Sequence, residues 1–222
     1  MSEQANRIRI FGVPMSRAAR VHWMARELGL DAEHVPIGFA DGSNKTPEYL
    51  ALNPNGRLPT LEDGGLVLWE SMAINLYLAR KYGPGGLGEG LAPRDLEEDA
   101  LAMQWSFWVM TEIEKPLLRL TLARLELPED SVEGRYFRER VPQGPEIEAA
   151  AEQELERPLA VLDGVLADRE FLVAERFTVA DLNVASVMAW SRQARLDLSR
   201  WPNVAGWLAR CLGRSGFRPA AA

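Results

Sequence analysis

An acid and a hydroxyl stand side by side at Glu70 and Ser71, where a strand-like run gives way to a helical pattern. The run at 66–69 is apolar, and beyond Ser71 the apolar residues recur at spacings of three and four. The first turn of a helix presents unpaired backbone N–H groups and a partial positive charge, which suit an anion. The Ser71 hydroxyl and these amides can hold a carboxylate, while Glu70 faces an ammonium group. The pair therefore predicts a site that grips an amino acid by both charged ends.

The elements that position this pair are predicted to alternate between strands and helices. A polar-apolar alternation favours a strand at 7–11, and Pro36 places a second strand, at 33–37, at a sheet edge. An apolar stripe follows Arg17 and stops at Gly29, as in a helix. A short helix beginning at Thr46-Pro47, a hairpin turning at 63–65 and a helix from Ser71 complete the order β-α-β-α-β-β-α.

A glycine-rich stretch, 83–90, cannot continue a helix and predicts a break between two domains. The predicted boundaries are a first domain at 1–83, a linker at 84–93 and a second domain at 94–222. Helical patterns fill the second domain, which is therefore predicted to be all-α. They cover 94–125, 146–168, a start capped by Thr178 and Asp181, and 201–213.

The bulk composition argues against several classes of protein. The formal net charge of −7 over 222 residues argues against a nucleic-acid partner. No uninterrupted apolar stretch reaches the roughly 18 residues of a membrane span, and the first residues have no apolar signal core. The single cysteine, Cys211, excludes an intrachain disulfide and indicates a reducing, cytoplasmic compartment.

Three motifs in order give the chain a family resemblance. They are Asn53-Pro54-Asn55-Gly56-Arg57-Leu58-Pro59-Thr60-Leu61, Glu70-Ser71-Met72-Ala73-Ile74 and Phe177-Thr178-Val179-Ala180-Asp181-Leu182. The whole chain resembles the cytosolic glutathione transferases, and the segment 157–181 is similar to the bacterial members. The resemblance implies an α/β thioredoxin-like domain followed by an all-α domain, and a homodimer with the tryptophan-bearing helix at its interface. It also implies glutathione as cosubstrate, a small electrophile as partner and no metal.

The resemblance assigns roles to the motif residues. Pro59 would follow a cis peptide bond, and Leu58 would pair with the cysteinyl backbone of glutathione. Ser71 and the helix amides would hold the γ-glutamyl carboxylate, and Glu70 would face the γ-glutamyl ammonium.

Two cations and one helix complete the implied contacts. Lys45 and Arg57 match positions near the glycine carboxylate, although both are equally interpretable as ordinary solvated charges. The helix around Met110 and Glu112 would line the second-substrate site.

The residue that activates the thiol differs among classes of the family. A free thiol has a pKa of roughly 8.5, so only a few per cent is ionised at neutral pH. No tyrosine precedes Tyr49, and Cys211 lies near the end of the chain. A tyrosine donor at the end of the first strand is therefore excluded, and the cysteine-type classes are disfavoured.

The loop before the first helix resembles the serine-type pattern, with Ser16 as donor and Arg20 supporting the loop. A shift of one residue would place Met15 at the donor position. Because Met15 cannot donate, a backbone amide or Arg17 would then serve. Ser16 can also act as a plain helix cap without chemistry.

The protein is predicted to be a glutathione S-transferase, which stabilises the glutathione thiolate for attack on a small, mostly hydrophobic electrophile. A glutathione-dependent isomerase or dehalogenase, and a non-catalytic binding or regulatory protein, are the alternatives on the same fold.

Overall fold

The computed structural model describes residues 7–128 and 130–218. Its contacts divide the chain into two compact units. The first unit comprises the described residues up to Ala92 together with those from Ser215 onward, and the second unit is Pro93–Arg214. The outer ends of the two predicted domains, 1–6 and 219–222, lie outside the described residues.

The first unit has the predicted order β-α-β-α-β-β-α, which confirms the first half of the fold class. Its strands β1 to β4 are Ile8–Phe11, Ala32–Val35, Thr60–Asp63 and Leu66–Trp69. Its helices α1 to α3 are Ala18–Glu27, Pro47–Leu52 and Ser71–Tyr82.

The four strands form one mixed sheet in the order β2-β1-β3-β4. Strand β1 runs parallel to β2 and antiparallel to β3, and β3 forms an antiparallel hairpin with β4. The structure confirms that β2 is an edge strand. It ends at Val35 rather than at Ile37, and Pro36, which has no N–H for the ladder, directly follows it.

The core of the first unit lies between the sheet and helices α1 and α3. Ile10 and Leu61 from the sheet are fully buried, as are Val21 and Met24 from α1 and Ile74 from α3. Burial of each such side chain contributes about 1.5–3 kcal/mol relative to exposure. This packing fixes where α1 and α3 begin, at the edge of the sheet where β1 and β4 end.

The segment after Arg214 packs on α1. Arg26 Nε donates to the Gly216 carbonyl at 2.6 Å, and the rings of Trp23 and Phe217 meet edge to face with centroids 5.0 Å apart. These contacts explain why residues from Ser215 onward belong to the first unit.

The second unit is helical, as predicted. Its helices α4 to α10 are Leu96–Trp108, Glu114–Arg124, Val132–Arg140, Pro145–Val165, Val179–Met188, Trp190–Gln193 and Pro202–Leu212. Helix α8 is its centre, since every residue of α8 is buried. The predicted capping box at Thr178 and Asp181 is confirmed.

One element of the second unit differs from the prediction. A single helix over 94–125 was expected, but a π-helical segment, Val109–Ile113, separates α4 from α5. Helices α6 and α9 were also missed, because α6 is rich in charge and α9 has only four residues. Within the described residues, no helix combines the length and apolar character needed to cross a membrane.

Candidate functional site

A helix begins at Ser71 just after a strand, as the sequence predicted. Strand β4 ends at Trp69, and Glu70 turns the chain with a φ of +74° before α3 begins at Ser71. The Glu70 side chain is exposed and does not cap the helix, whereas Ser71 is only 4% exposed. The first-turn amides and the Ser71 hydroxyl therefore stand where a carboxylate can bind, with an acid beside them.

A buried arginine lies behind Ser71. Arg20 on α1 is 2% exposed, and its Nη1 donates to Ser71 Oγ at 3.4 Å. The sequence predicted a role for Arg20 in supporting the loop but did not predict this contact. A cation on the apolar face of α1, next to Val21, was the available signal. The guanidinium and the α3 dipole both favour negative charge at this point.

The loop that enters β3 carries the predicted cis peptide bond, between Leu58 and Pro59. Pro59 is buried and Leu58 is half-buried. A Cβ built on Gly12 would lie 3.6 Å from Leu58 Cβ, so Leu58 borders the end of β1.

Side chains from α2 and its flanks hold the same loop. Tyr49 Oη and Asn53 Nδ2 donate to the Arg57 carbonyl at 2.7 and 2.9 Å, and Asn44 Nδ2 donates to the Gly56 carbonyl at 2.7 Å. Burial raises the pKa of Tyr49, so its hydroxyl stays a donor. These three supporting residues were not predicted from the sequence.

The two predicted cations differ in their surroundings. Lys45 Nζ donates to the carbonyls of Asn55 and Gly56 at 3.2 and 3.0 Å. The Arg57 side chain is exposed, on the residue that follows Gly56. Lys45 therefore stabilises the loop that carries Arg57, and both side chains add positive charge next to this loop.

The Ser16 hydroxyl makes local hydrogen bonds at the start of α1. Ser16 Oγ donates to the Val13 carbonyl at 2.7 Å and accepts from the Ala18 N–H at 3.1 Å. It also lies 3.2 Å from a Cβ built on Gly12. In this conformation Ser16 stabilises the first turn of α1, and its proton points to Val13.

Two histidines lie close together near this loop. The rings of His22 on α1 and His34 on β2 meet edge to face, with centroids 4.8 Å apart. Burial, with smaller contributions from the charges of His34 and Arg26, lowers the pKa of His22 to about 4. The described part of the chain contains no group of three or more His, Cys, Asp or Glu side chains placed to hold a metal ion.

All the predicted site residues lie in the first unit: Ser16, Lys45, Arg57, Leu58, Pro59, Glu70 and Ser71. The structure joins Ser71 to Arg20, and it places both Ser16 Oγ and Leu58 Cβ within 3.6 Å of a Cβ built on Gly12. Met110 and Glu112, expected at the second-substrate site, lie in the π segment of the second unit.

Comparisons with known proteins identify the family of the chain. Residues 6–80 match the family model described as glutathione S-transferase, N-terminal domain, and residues 107–215 match the corresponding C-terminal domain. The chain is 33% identical to glutathione S-transferase 3 of Zea mays over 97% of this chain and 93% of the relative. It is 28% identical to glutathione S-transferase D7 of Drosophila melanogaster over 90% of this chain and 81% of the relative.

A solved structure covers nearly the whole chain. It is the theta class glutathione S-transferase from the citrus canker pathogen Xanthomonas axonopodis pv. citri with glutathione bound. The TM-score is 0.82 and the identity 32%, over 98% of both chains. The chain described here therefore belongs to the glutathione S-transferase family.

Proposed function

We propose that this protein binds glutathione in its first unit and joins it, through the glutathione sulfur, to a small electrophile. Family membership supports the reaction class, and a similar protein was solved with glutathione bound. The observation that supports the proposal is the start of α3, where the hydroxyl of buried Ser71 accepts a hydrogen bond from the buried Arg20.

The γ-glutamyl end of glutathione is held at this helix start. Its carboxylate accepts hydrogen bonds from the first-turn amides of α3 and from the Ser71 hydroxyl. Arg20 behind Ser71 adds a buried positive charge. The γ-glutamyl ammonium faces Glu70, whose exposed carboxylate lies at the same turn. An amino acid that lacks either charge would bind more weakly.

The rest of glutathione runs along the loop before β3. The Leu58 backbone pairs with the cysteinyl residue, with Pro59 fixing the end of the loop. The glycine carboxylate lies near Arg57, whose exposed guanidinium is the direct partner, and Lys45 supports it through the loop. Arg57 thus contributes to affinity directly, and Lys45 both through charge and through loop geometry.

Ser16 is the proposed thiolate donor. Its hydroxyl turns from the Val13 carbonyl to the sulfur when glutathione binds, and the thiol proton passes to water. The N-terminus of α1 acts on the same sulfur, since Ser16 lies two residues before this helix begins. The thiolate then attacks the electrophilic carbon, a carbon–sulfur bond forms, and the leaving group departs with its electron pair.

A homodimer and a cytoplasmic location complete the proposal. Leu96 and Phe107, 82% and 69% exposed, are eleven residues apart on α4 and therefore share one helix face. A second copy would bury this face. The buried, unpaired Cys211 agrees with a reducing compartment.

Retention on immobilised glutathione, followed by conjugation of a chlorinated nitrobenzene, tests the function. We expect retention, a conjugate that keeps the glutathione moiety, and a Kd for glutathione that Ser71→Ala raises about fivefold, the effect of a hydrogen bond worth about 1 kcal/mol. Glu48→Gln, an exposed acid on α2, is the control and should bind like the wild type.

Lack of retention together with lack of a thermal shift by glutathione would refute the proposal. A product that is rearranged but carries no glutathione would indicate an isomerase instead.

A further inference from the structure

Gly12 is the point at which the parts of the proposed thiol site meet. It follows β1 with a φ of +141°, a conformation that favours glycine. A Cβ at this position would lie 2.7 Å from Ala18 Cβ, 3.2 Å from Ser16 Oγ and 3.6 Å from Leu58 Cβ. Gly12 therefore lies close to three parts of the proposed site: the first turn of α1, the proposed donor Ser16 and the proposed cysteinyl-binding residue Leu58.

Strand β2 holds Gly12 through two consecutive residues. The Gly12 N–H donates to the Val35 carbonyl at 3.0 Å. The Gly12 carbonyl lies 2.5 Å from His34 Nε2. A carbonyl only accepts, so His34 Nε2 carries the proton and donates it. The second hydrogen bond comes from a side chain, so a substitution of His34 can remove it while the backbone hydrogen bond from Gly12 to Val35 remains.

The His34 side chain is exposed, but its ring also contacts α1. It meets the ring of His22 at an interplanar angle of 83°, and His22 lies on the helix that begins at Ala18. The ring therefore contacts both the end of β1, through its hydrogen bond to Gly12, and α1, through His22.

The Gly12 carbonyl is connected to the Ser16 hydroxyl through one residue, Val13. The Gly12 carbonyl belongs to the peptide unit that joins Gly12 to Val13, and the Val13 carbonyl in turn accepts from both Ser16 Oγ and Ser16 N–H, at 2.7 and 2.9 Å. Rotation of the first peptide unit would shift Val13 and would move the Ser16 hydroxyl away from its place near Gly12.

We infer that His34 is a positioning residue for the transferase reaction, which fixes the Gly12 carbonyl and so sets the distance of the Ser16 hydroxyl from the glutathione sulfur. The inference rests on the proposed function. His34 touches neither substrate and acts through Gly12 and Val13. Its loss should weaken thiolate stabilisation while leaving the γ-glutamyl contacts at Ser71 unchanged.

The test compares His34→Phe, which keeps an aromatic ring without a donor, with His34→Gln, which keeps a donor at similar reach. The pKa of the bound thiol is read from the ultraviolet absorbance of the thiolate against pH. We expect His34→Phe to raise that pKa by about half a unit to one unit, and to lower kcat about three- to tenfold at neutral pH. The KM for glutathione should change less than about twofold, because the γ-glutamyl contacts remain.

Restoration of the thiol pKa in His34→Gln would support the positioning role. Glu33→Gln, at the neighbouring position of β2, is the matched control and should leave the pKa unchanged. If His34→Phe does not fold, His34→Met and His34→Gln decide the question, since the two side chains have the same length and only glutamine donates. Equal thiol pKa values in a donor and a non-donor variant would overturn the inference. A wild type that does not bind glutathione would instead refute the proposed function.

Discussion

Acidification should destabilise the first unit through His22. Burial, followed by the charges of His34 and Arg26, lowers the pKa of His22 from 6.5 to about 4. In the unfolded chain His22 keeps its ordinary pKa and binds a proton as the pH falls below about 6.5, whereas the folded chain does not bind it until about pH 4. The free energy of unfolding therefore decreases as pH falls through this window.

The size of the effect follows from the two pKa values. With 6.5 in the unfolded chain and about 4 in the folded chain, linkage removes about 2 kcal/mol between about pH 7.5 and pH 5. The ring is only partly buried, so solvent screening reduces the expected loss to about 1–2 kcal/mol. The His22 Nε2 is buried and has no hydrogen-bond partner among the described residues. His22→Phe removes both the titration and this unsatisfied nitrogen while keeping a ring against His34.

Urea unfolding of wild type and His22→Phe at about pH 7.5 and pH 5 measures the difference, at one protein concentration because the proposed dimer links stability to concentration. We expect the loss on acidification to be about 1–2 kcal/mol smaller in His22→Phe, with both proteins within about 1 kcal/mol at the higher pH. His22→Leu should behave in the same way and controls for overpacking by the larger ring. Equal losses in the wild type and both variants would refute the reasoning.

Three further predictions concern an ion pair, a loop and a helix. The side-chain bonds from Arg176 lower the pKa of Glu98 to about 2. The stabilisation is therefore present above about pH 4.5 and lost as pH falls toward 2, and Glu98→Gln should cost about 1–2 kcal/mol in urea unfolding at neutral pH. Arg57→Ala should raise the KM for glutathione about three- to tenfold at unchanged thermal stability, because only an exposed ligand contact is lost. Lys45→Met should raise that KM and also lower the thermal midpoint, since Lys45 braces the loop. Deletion of Thr111 from the π segment should restore α-helical register and fold with a loss of about 1–2 kcal/mol, whereas deletion of one residue within α4 should prevent folding by rotating its buried face about 100°. Circular dichroism during thermal unfolding separates the two deletions.

Local sequence rules were sufficient for most of the first unit. Several of its features depend only on residues close together in the chain. They are the alternation in β1, the Asp63-Gly64-Gly65 turn, the Thr46-Pro47 start of α2 and the end of α1 before Gly29. Their positions were therefore predicted within a few residues. The start of α3 belongs to the same class, which is why the sequence alone was enough to place the transition from strand to helix at Glu70 and Ser71.

Contacts between distant segments were not predictable in this way. Arg20 reaches Ser71 across 51 positions of the chain, and Asn44 reaches the Gly56 carbonyl across 12. Nothing in the local pattern of either residue specifies its partner. Only the packing of α1 against α3, and of the α2 region against the loop, brings these groups together.

The π segment keeps one row of buried residues in register, although a single regular helix was predicted there. Trp105, Val109, Ile113 and Leu117 are all buried, and each follows the last by four residues. In a regular α-helix every step of four turns about 40° past a full turn, so three steps would carry the buried face about 120° around the axis. A π turn has more residues per turn and absorbs this drift. The π segment therefore keeps these four buried residues on one face of the continuous helix.

The hydrogen bonds of Ser16 determine how far its hydroxyl can lower the pKa of the glutathione thiol. In the structure its proton is engaged by Val13, so a thiolate must compete with a carbonyl for it. A hydrogen bond to a charged acceptor contributes about 1.5–3 kcal/mol and one to a neutral carbonyl about 0.5–1.5 kcal/mol, so the exchange favours the thiolate by about 1 kcal/mol. That lowers the thiol pKa by less than about one unit. The start of α1 adds about 0.3–1 kcal/mol, and the two together bring a thiol pKa of about 8.5 to between about 7 and 7.5. Ser16 is therefore sufficient at neutral pH only if the helix start remains aligned with it, and that alignment is set at Gly12.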